Sequence, residues 1–449
     1  MELILTLDVG TTSVKACLFD RQLRQTALTS REYALQTRGV CAEVEAQVYL
    51  DAAAQCILAL PAEARARVCA VALTTQGETL LCVDRQGKAL RPAIVWLDSR
   101  AEAQAARLAA ALDRQRFYER TGLPELSGAL PLAKLLWLRE QEPESWARTD
   151  KFLLLEDYLM LWLTGRAVTE KSLLTSTGYF DLQSDDYWDE ALALAELDRT
   201  RLPQALACGS IVGPVLPEVA EALGLPASAC VVTGAMDQTA AALAAGCTRP
   251  GTLCETTGTA MVAAAFTAHP QFSEDHHVTI YRHAMPGAYL YLPISNTIGM
   301  SLRWFRDEFC RDLDGGYAAL DRLAEQVPPG AQGVTFLPYL AGCVDPDNLP
   351  EASGGFYGLL CWNKLFDIRL RPCDSGGSGL PAARFSEYAV CARLHGADRD
   401  LARRGSGERT LDADQGGCLP PPVPHALHGA GHVARRGHAG RRRAWLGAA

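Results

Sequence analysis

The 449-residue chain is long enough for two or three domains, and its 48% apolar residues can form a large core. A net charge of −9 gives no support to nucleic-acid binding by the whole chain, and no uninterrupted apolar run is long enough to predict a membrane span. The 15 cysteines are scattered without a C-x-x-C pair, and the chain opens on a strand rather than on signal-peptide features. We therefore expect a cytoplasmic protein with reduced, buried thiols.

The first predicted element is a β-hairpin over residues 2–20. Its first apolar strand contains Asp8 near its end, and the polar turn 10–13 leads into a second apolar strand. Gly10 permits a tight turn, and the turn offers backbone N–H groups and hydroxyls to an anion. Asp8 would then face a metal or a water beside that anion. An ordinary hairpin with a polar turn is the alternative.

Strands and helices alternate in the following segments. Strands are predicted at 71–75, 80–84, 92–97 and 230–233, and helices at 101–112, 130–140, 157–163 and 238–245. Gly246 is a suitable stop for the last helix. A second strand–turn–strand, over 253–266, repeats the design of the first. This order predicts an α/β protein with two domains facing a cleft.

Two turns of one design, with an Asp that begins a helix after a glycine, suit phosphoryl transfer. Such turns hold phosphates, Mg²⁺ neutralises them, and a carboxylate accepts the proton of the attacking hydroxyl.

The sequence resembles the FGGY carbohydrate kinases over residues 1–360. Seven segments in register carry the resemblance: Asp8-Val9-Gly10-Thr11-Thr12-Ser13, Thr75-Gln76-Gly77-Glu78-Thr79, Ile94-Val95-Trp96-Leu97-Asp98-Ser99-Arg100, Asp157-Tyr158-Leu159 with Leu163-Thr164-Gly165, Gly234-Ala235-Met236-Asp237-Gln238, Thr256-Thr257-Gly258-Thr259 and Gly355-Phe356-Tyr357-Gly358-Leu359. The resemblance implies two actin-like (ribonuclease H-like) domains around a central cleft, the first over 1–245 and the second starting over 246–360. It also implies ATP and Mg²⁺ as cofactors and a sugar or polyol as substrate.

The resemblance also implies roles for the residues that contact the nucleotide and the reacting hydroxyl. Asp237 is implied as the general base, with a helix N-cap as the alternative. Asp8 is implied as the acid on the Mg²⁺ side, with a turn-capping Asp as the alternative. The residues implied to bind the phosphates are Gly10, Thr11, Thr12, Ser13, Thr257, Gly258 and Thr259.

The implied substrate-binding residues are Gln76, Gly77, Glu78, Trp96 and Asp98. The pair Gly77-Glu78 matches neither the Arg-Glu of glycerol kinases nor the Met-His of xylulokinases. Glu78 is suited to accept hydrogen bonds from vicinal hydroxyls, and an exposed loop carboxylate is the alternative. Trp96 is interpreted as an apolar wall or as core, and Asp98 as half of an ion pair with Arg100 that lines the site.

The resemblance ends after Leu359, and the composition changes near residue 361. Residues 365–449 contain 13 Arg, no Lys and eight acids, a balance of +5 against −14 in the preceding residues, and five of the nine His. Back-translation of residues 371–380 in a frame one nucleotide later permits A-R-A-I-L-E-G-V-A-F, which resembles the missing family helix. Residues 403–411 and 411–422 permit two further family-like segments. We interpret 361–449 as an aberrant tail read out of frame. A divergent basic tail is the alternative.

The sequence therefore favours an ATP-dependent sugar or polyol kinase. As written, the chain is expected to bind ATP poorly and to be inactive, because the tail has no apolar period to complete the second domain. Two alternatives stay open, a non-catalytic sugar-binding sensor and an actin- or Hsp70-like ATPase. The expected partner is a small-molecule sugar or polyol, with no nucleic acid and no membrane, and a homodimer is an open candidate.

Overall fold

The computed structural model describes residues 2–257, 261–274, 278–295, 297–311, 313–325, 334–340 and 351–359, together with 331, 342–343 and 408–409. Its strands are β1 (Leu3–Val9), β2 (Ser13–Phe19), β3 (Gln25–Glu32), β4 (Gln36–Arg38), β5 (Cys41–Val44), β6 (Val68–Thr75), β7 (Leu80–Val83), β8 (Ala93–Ile94), β9 (Lys151–Leu154), β10 (Val168–Glu170), β11 (Phe180–Asp181), β12 (Asp186–Tyr187), β13 (Gln204–Leu206), β14 (Ile211–Pro214), β15 (Cys230–Met236), β16 (Leu253–Thr257), β17 (Met261–Thr267), β18 (Ile280–Arg282), β19 (Tyr289–Tyr291), β20 (Ile294–Ser295), β21 (Thr335–Leu337), β22 (Gly355–Tyr357) and β23 (Glu408–Arg409).

The helices complete the secondary structure of the described residues. They are α1 (Ala46–Ala59), α2 (Ala62–Arg65), α3 (Glu102–Ala111), α4 (Arg114–Thr121), α5 (Pro131–Gln141), α6 (Pro143–Arg148), α7 (Leu155–Thr164), α8 (Lys171–Leu174), α9 (Asp189–Leu194), α10 (Pro217–Leu223), α11 (Asp237–Ala244), α12 (Ile298–Phe309) and α13 (Gly316–Ala324). The predicted helices at 101–112, 130–140, 157–163 and 238–245 are confirmed as α3, α5, α7 and α11.

The chain divides into two compact units. The first contains Met1–Thr248 and Phe266–Leu292, and the second contains Arg249–Ala265 and Pro293–Ala449. The first unit therefore takes in residues 266–292, which the sequence prediction assigned to the second domain.

A six-stranded sheet forms the centre of the first unit, in the order β14-β15-β6-β1-β2-β3. The predicted hairpin at 2–20 is confirmed, because β1 and β2 pair antiparallel from Ile4 opposite Phe19 to Val9 opposite Val14. Strands β6 and β15 run parallel to β1. The alternation of apolar residues along β1 buries one face of the strand against the core that includes α1.

A second sheet of the first unit has the order β4-β5-β8-β7-β9. The predicted pairing of residues 80–84 with 92–97 is confirmed at Leu80 opposite Ile94, although β8 has only two residues. Residues 95–100 follow β8 as a loop.

The second unit contains the predicted second strand–turn–strand. Strands β16 and β17 pair antiparallel from Leu253 opposite Ala265 to Thr257 opposite Met261, and the backbone of β23 pairs with β16. Helix α12 contributes Phe305 to a cluster with the partly buried Phe356 of β22. The turn at 258–260 and the tail, apart from 408–409, lie outside the described residues, so the out-of-frame interpretation stays a prediction.

Two of the general expectations can be compared with the described residues. No helix among them has the length and apolar character needed to cross a membrane. Cys17, Cys56 and Cys82 are buried free thiols, as predicted.

Three acidic side chains are buried beside β15 in the first unit. Glu156, Asp157 and Glu170 are each at most 1% exposed. Glu156 Oε1 accepts a hydrogen bond from the backbone N–H of Gly234 at 2.9 Å, while its Oε2 has no partner among the described residues. Burial raises the pKa of Glu156 well above its ordinary value of 4.5, and the neighbouring Glu170 and Asp157 raise it further.

The first prediction concerns this buried acid. A carboxyl whose pKa is raised by folding stabilises the protein most below its unfolded pKa, and that contribution is lost as the pH rises. Glu156→Gln does not titrate, so the variant gains stability relative to the parent by up to about 1.4 kcal/mol for each pH unit above about 4.5. Urea unfolding at about pH 5 and about pH 8 measures this difference. The exposed Glu190→Gln is the control, and equal gains at both pH values would contradict the prediction.

Candidate active site

The candidate site lies where three neighbouring parallel strands of the first unit end. Strand β6 pairs with β1 on one side and with β15 on the other, and Thr75 is opposite both Val9 and Met236. Asp8 therefore lies next to the end of β1, Glu78 follows β6, and Asp237 directly follows β15. Carboxyl ends of parallel strands are a usual place for ligand binding in α/β proteins.

The turn between β1 and β2 is held by several hydrogen bonds. Gly10 N–H donates to Ser13 O at 3.0 Å and Tyr33 N–H to Thr12 O at 2.9 Å, and the Tyr33 hydroxyl donates to Gly10 O. Trp96 Nε1 donates to Thr11 Oγ1 at 2.9 Å. The turn is thus fixed before any ligand binds.

Asp8 is available to a ligand at the end of β1. Its side chain is 42% exposed, and Oδ2 is 3.3 Å from Lys15 Nζ. The carboxylate is therefore only weakly engaged by this exposed ion pair.

Glu78 occupies a strained turn after β6. Its φ is +50°, in the left-handed region, and Thr79 N–H donates across it to Gly77 O at 2.6 Å. Tyr281 Oη donates to Glu78 Oε1 at 3.3 Å. The exposed-loop alternative for Glu78 is therefore wrong, since the side chain is half-buried and hydrogen-bonded.

The ionisation of Glu78 is shifted by its surroundings. Burial raises the pKa of Glu78 to about 7, the cation of Lys134 opposes this rise, and the charge of Asp237 adds to it. Glu78 and Asp237 therefore influence each other's charge.

Asp237 is the first residue of α11, directly after β15. Met236 occupies the N-cap, so the N-cap alternative for Asp237 is wrong. Its Oδ1 accepts the N–H of Gln238 at 2.7 Å. Burial raises the pKa of Asp237 to about 6, the Gln238 N–H opposes this rise, and the charge of Asp8 adds to it. A carboxylate with such a pKa is suited to accept a proton near neutral pH.

The sequence and the fold were compared with known proteins. Residues 3–244 match the N-terminal domain model of the FGGY family of carbohydrate kinases. A xylulose kinase from Lactococcus lactis is 30% identical over 80% of this chain and 72% of its own length, and a Bacillus subtilis gluconokinase is 28% identical with the same coverage. The crystal structure of xylulose kinase from Rhodospirillum rubrum is similar with a TM-score of 0.78 and 28% identity, over 87% of this chain and 79% of that one.

The chain belongs to the FGGY family of carbohydrate kinases. The predicted α/β class with two actin-like domains is confirmed, and so is the predicted activity class, an ATP-dependent kinase that phosphorylates a sugar hydroxyl.

Two predicted sugar-site residues of this FGGY kinase, Gln76 and Gly77, are buried, whereas a third, Trp96, is partly exposed. Gln76 is 3% exposed, its Nε2 is 3.5 Å from Tyr49 Oη, and its Oε1 has no partner among the described residues. A Cβ on Gly77 would lie 3.0 Å from Ser176 Oγ, so the loop packs closely there. Trp96 is 37% exposed, which rules out the core interpretation.

The interpretation of Asp98 as a substrate ligand is wrong. Its predicted ion pair with Arg100 forms, at 2.6 Å, but Asp98 is 0% exposed. Its Oδ2 also accepts Ala42 N–H at 2.6 Å. Burial would raise the pKa of Asp98, and the hydrogen bonds from Arg100 and Ala42 lower it overall. Asp98 therefore fixes the loop after β8 and has no surface for a sugar.

Two residues near Glu78 were missed by sequence reasoning. Lys134 is a fully buried lysine on α5, and its signal was a charge inside the apolar segment 131–138. Tyr281 comes from β18, 203 residues away from Glu78, and no local pattern marks it.

The second predicted phosphate turn, Thr257-Gly258-Thr259, falls largely outside the described residues. The side chain of Thr257 and all of Gly258 and Thr259 lie outside the described residues.

Within the described ranges, no group of three or more His, Cys, Asp or Glu residues is arranged to hold a metal ion. Asp8 and Asp237 nevertheless fit Mg²⁺, which proteins commonly hold through one or two carboxylates together with waters and substrate phosphates.

The second prediction tests the corrected role of Asp98. Asp98→Asn removes one charge of a buried pair, so the free energy of unfolding falls by about 3 kcal/mol. The affinity of the folded protein for its sugar stays within about twofold, because no atom of Asp98 is exposed. Urea unfolding and calorimetric titration measure the two effects. Asp186→Asn, which breaks a half-exposed pair with Arg199, is the control and costs under about 1 kcal/mol. An unchanged stability in Asp98→Asn would contradict the assignment.

Proposed function

We propose that this kinase transfers the γ-phosphoryl group of ATP to a hydroxyl of a neutral sugar or polyol, with Asp237 as the general base. The observation that carries the proposal is the common end of β1, β6 and β15, which gathers Asp8, Glu78 and Asp237. Positioning and electrostatic stabilisation supply most of the catalysis in such a reaction.

Each group of the first unit has a separate task in the proposed reaction. Asp237 accepts the proton of the attacking hydroxyl, and its raised pKa makes it a stronger base than an ordinary aspartate. The turn 10–13 receives phosphate oxygens through its N–H and hydroxyl groups. Mg²⁺, when bound near Asp8, neutralises charge on the transferred phosphoryl group.

The residues around Glu78 favour a substrate with vicinal hydroxyls. The Glu78 carboxylate accepts hydrogen bonds, and Tyr281 Oη already donates to one of its oxygens. Trp96, partly exposed, offers an apolar surface to the carbon face of a sugar. The relatives are named for their substrates, of which xylulose is neutral and gluconate is an anion. Because Glu78 and Asp237 are both acidic, we place a ketose or polyol ahead of a sugar acid.

The domain assignment is also part of the proposal. Residues 1–245 contain the sugar site and the first phosphate turn, 246–360 begin the second domain, and 361–449 are out of frame. The coverage of relatives supports this, since the Lactococcus lactis enzyme matches 80% of this chain yet leaves 28% of its own length unmatched. A +1 frame slip between about residues 361 and 370 accounts for the out-of-frame tail and for the unmatched length of the relative. We further place the enzyme in the cytoplasm and retain a homodimer as an open proposal.

The third prediction tests Asp237 in protein whose frame is restored after residue 360. Asp237→Asn cannot accept the proton, so kcat falls by about 1,000-fold while calorimetric affinity for D-xylulose or glycerol stays within about threefold. In the parent at saturating sugar, kcat falls as the pH drops through about 6, because Asp237 becomes protonated. The exposed Asp51→Asn is the control and keeps full activity.

Three outcomes of the same assays would contradict the proposed function. Equal loss in both Asp variants would contradict the role of Asp237. Sugar binding without turnover would favour the sensor, and ATP hydrolysis indifferent to every sugar would favour the actin- or Hsp70-like ATPase.

The fourth prediction concerns the tail. Resequencing of the gene reveals one nucleotide gained or lost near the codons for residues 361–370, and the corrected frame encodes the R-A-I-L-E-G-V-A-F segment. The chain as written binds ATP at least about tenfold more weakly than the corrected protein, because its second domain is incomplete. An unbroken frame, with an intact protein mass equal to that calculated from the 449-residue sequence, would rule out the slip.

A further inference from the structure

Lys134 joins the two loops that carry the proposed sugar contacts. It is 0% exposed on α5, and its Nζ donates to Val95 O at 2.9 Å and to Glu78 O at 3.3 Å. Val95 precedes Trp96 in the loop after β8, and Glu78 follows β6. A buried ammonium is costly unless close partners compensate it. The described hydrogen-bond partners of the Lys134 ammonium are backbone carbonyls of the two loops.

The loop that holds Glu78 needs such support. Glu78 has a Cβ, and its φ of +50° is a conformation that side chains other than Gly, Asn and Asp seldom adopt. The tight hydrogen bond from Thr79 N–H to Gly77 O closes this turn at 2.6 Å. Strained turns persist when their surroundings hold them in place. Lys134 contacts the carbonyl of the strained residue itself.

Charged and polar groups from several elements face this pair. Asp237 at the start of α11, Tyr281 on β18 and the Ser176 hydroxyl face Glu78. Asp98 and Arg100, after β8, face Lys134. The Lys134 charge lowers the pKa of Glu78, whereas Asp237 raises it.

We propose that Lys134 is a positioning residue for sugar recognition. It ties the strained turn at Glu78 to the loop that contains Trp96. The ammonium sets the separation between the Glu78 carboxylate and the Trp96 indole, and its charge favours the ionised form of Glu78. The inference rests on the proposed function, in which Glu78 and Trp96 contact the sugar.

The first test needs no sugar. Lys134→Met keeps the apolar stem and removes the ammonium, so the Thr79 amide exchanges with solvent at least about tenfold faster in the full-length chain. The Leu73 amide, inside β6, keeps its rate. Lys151→Met is the matched control, because Lys151 also donates to backbone carbonyls, those of Thr200 and Leu202. An unchanged Thr79 rate in Lys134→Met would overturn the proposal.

A second background keeps the test valid if Lys134→Met does not fold. In Glu78→Gly the turn adopts a positive φ without strain. The shift in urea midpoint caused by Lys134→Met is then at least about threefold smaller than in the parent. If Lys134→Met alone is unfolded, the double variant regains folding. Equal midpoint shifts, or a double variant that is also unfolded, would show that Lys134 stabilises the protein through general packing and not through the turn at Glu78. Either result would overturn the proposal.

The third readout separates positioning from packing by its pH dependence. Calorimetric titration of the chain with D-xylulose shows affinity that falls as the pH drops through about 7, where Glu78 protonates. In Lys134→Met this fall begins at a higher pH by at least about half a unit, because the lowering influence of the cation is gone. A fall at the same pH would overturn the electrostatic part. Failure of the parent to bind D-xylulose or glycerol would count against the proposed function, whereas the exchange result would still decide the role of Lys134.

Discussion

The common register of β1, β6 and β15 is the constraint on which the candidate site depends. Thr75 lies opposite both Val9 and Met236, so the segments after three strands begin at one level. A slip of one residue in any of them would turn its side chains to the other face. At Gly234 a Cβ would lie 1.4 Å from Leu73 O, and a register irregularity falls between Val232 and Ala235. The position of Asp237 thus depends on Gly234, three residues earlier. The buried carboxyl group of Glu156 accepts a hydrogen bond from the backbone N–H of this glycine.

The same edge concentrates acidic groups, and this governs what can bind there. Burial is the main cause of the raised pKa values of Asp237 and Glu78, and the charge of Asp8 adds to the first rise and that of Asp237 to the second. Such a cluster attracts cations and hydroxyl donors and repels anions. In the proposed reaction, a divalent cation and the N–H groups of the turn 10–13 therefore neutralise the charge of the triphosphate.

The sequence predicted those parts of the site that depend on local order. Apolar runs around a polar turn identified β1 and β2, and the strand before Asp237 followed from its apolar residues. The error at Asp98 concerned burial alone, because the motif predicted its ion pair with Arg100 but did not reveal that the carboxylate is closed to solvent. Lys134 and Tyr281 were missed because their roles come from contacts with Glu78 across 56 and 203 residues of chain. The positive φ of Glu78 was equally hidden, since no glycine marks it.

The two substrates of the proposed reaction depend on the second unit to different degrees. Every contact described for Glu78 and Asp237 comes from segments of the first unit, including the strand of Tyr281, which returns to it from beyond residue 266. An out-of-frame tail changes residues assigned to the second unit and leaves these contacts as they are. In the proposed reaction, sugar recognition therefore depends on the first unit alone, whereas nucleotide binding needs the second unit in addition to the turn 10–13. On the proposed assignment, a protein with a damaged tail would keep the strained turn at Glu78 and the raised pKa values of Glu78 and Asp237, while lacking the part of the second domain that completes nucleotide binding.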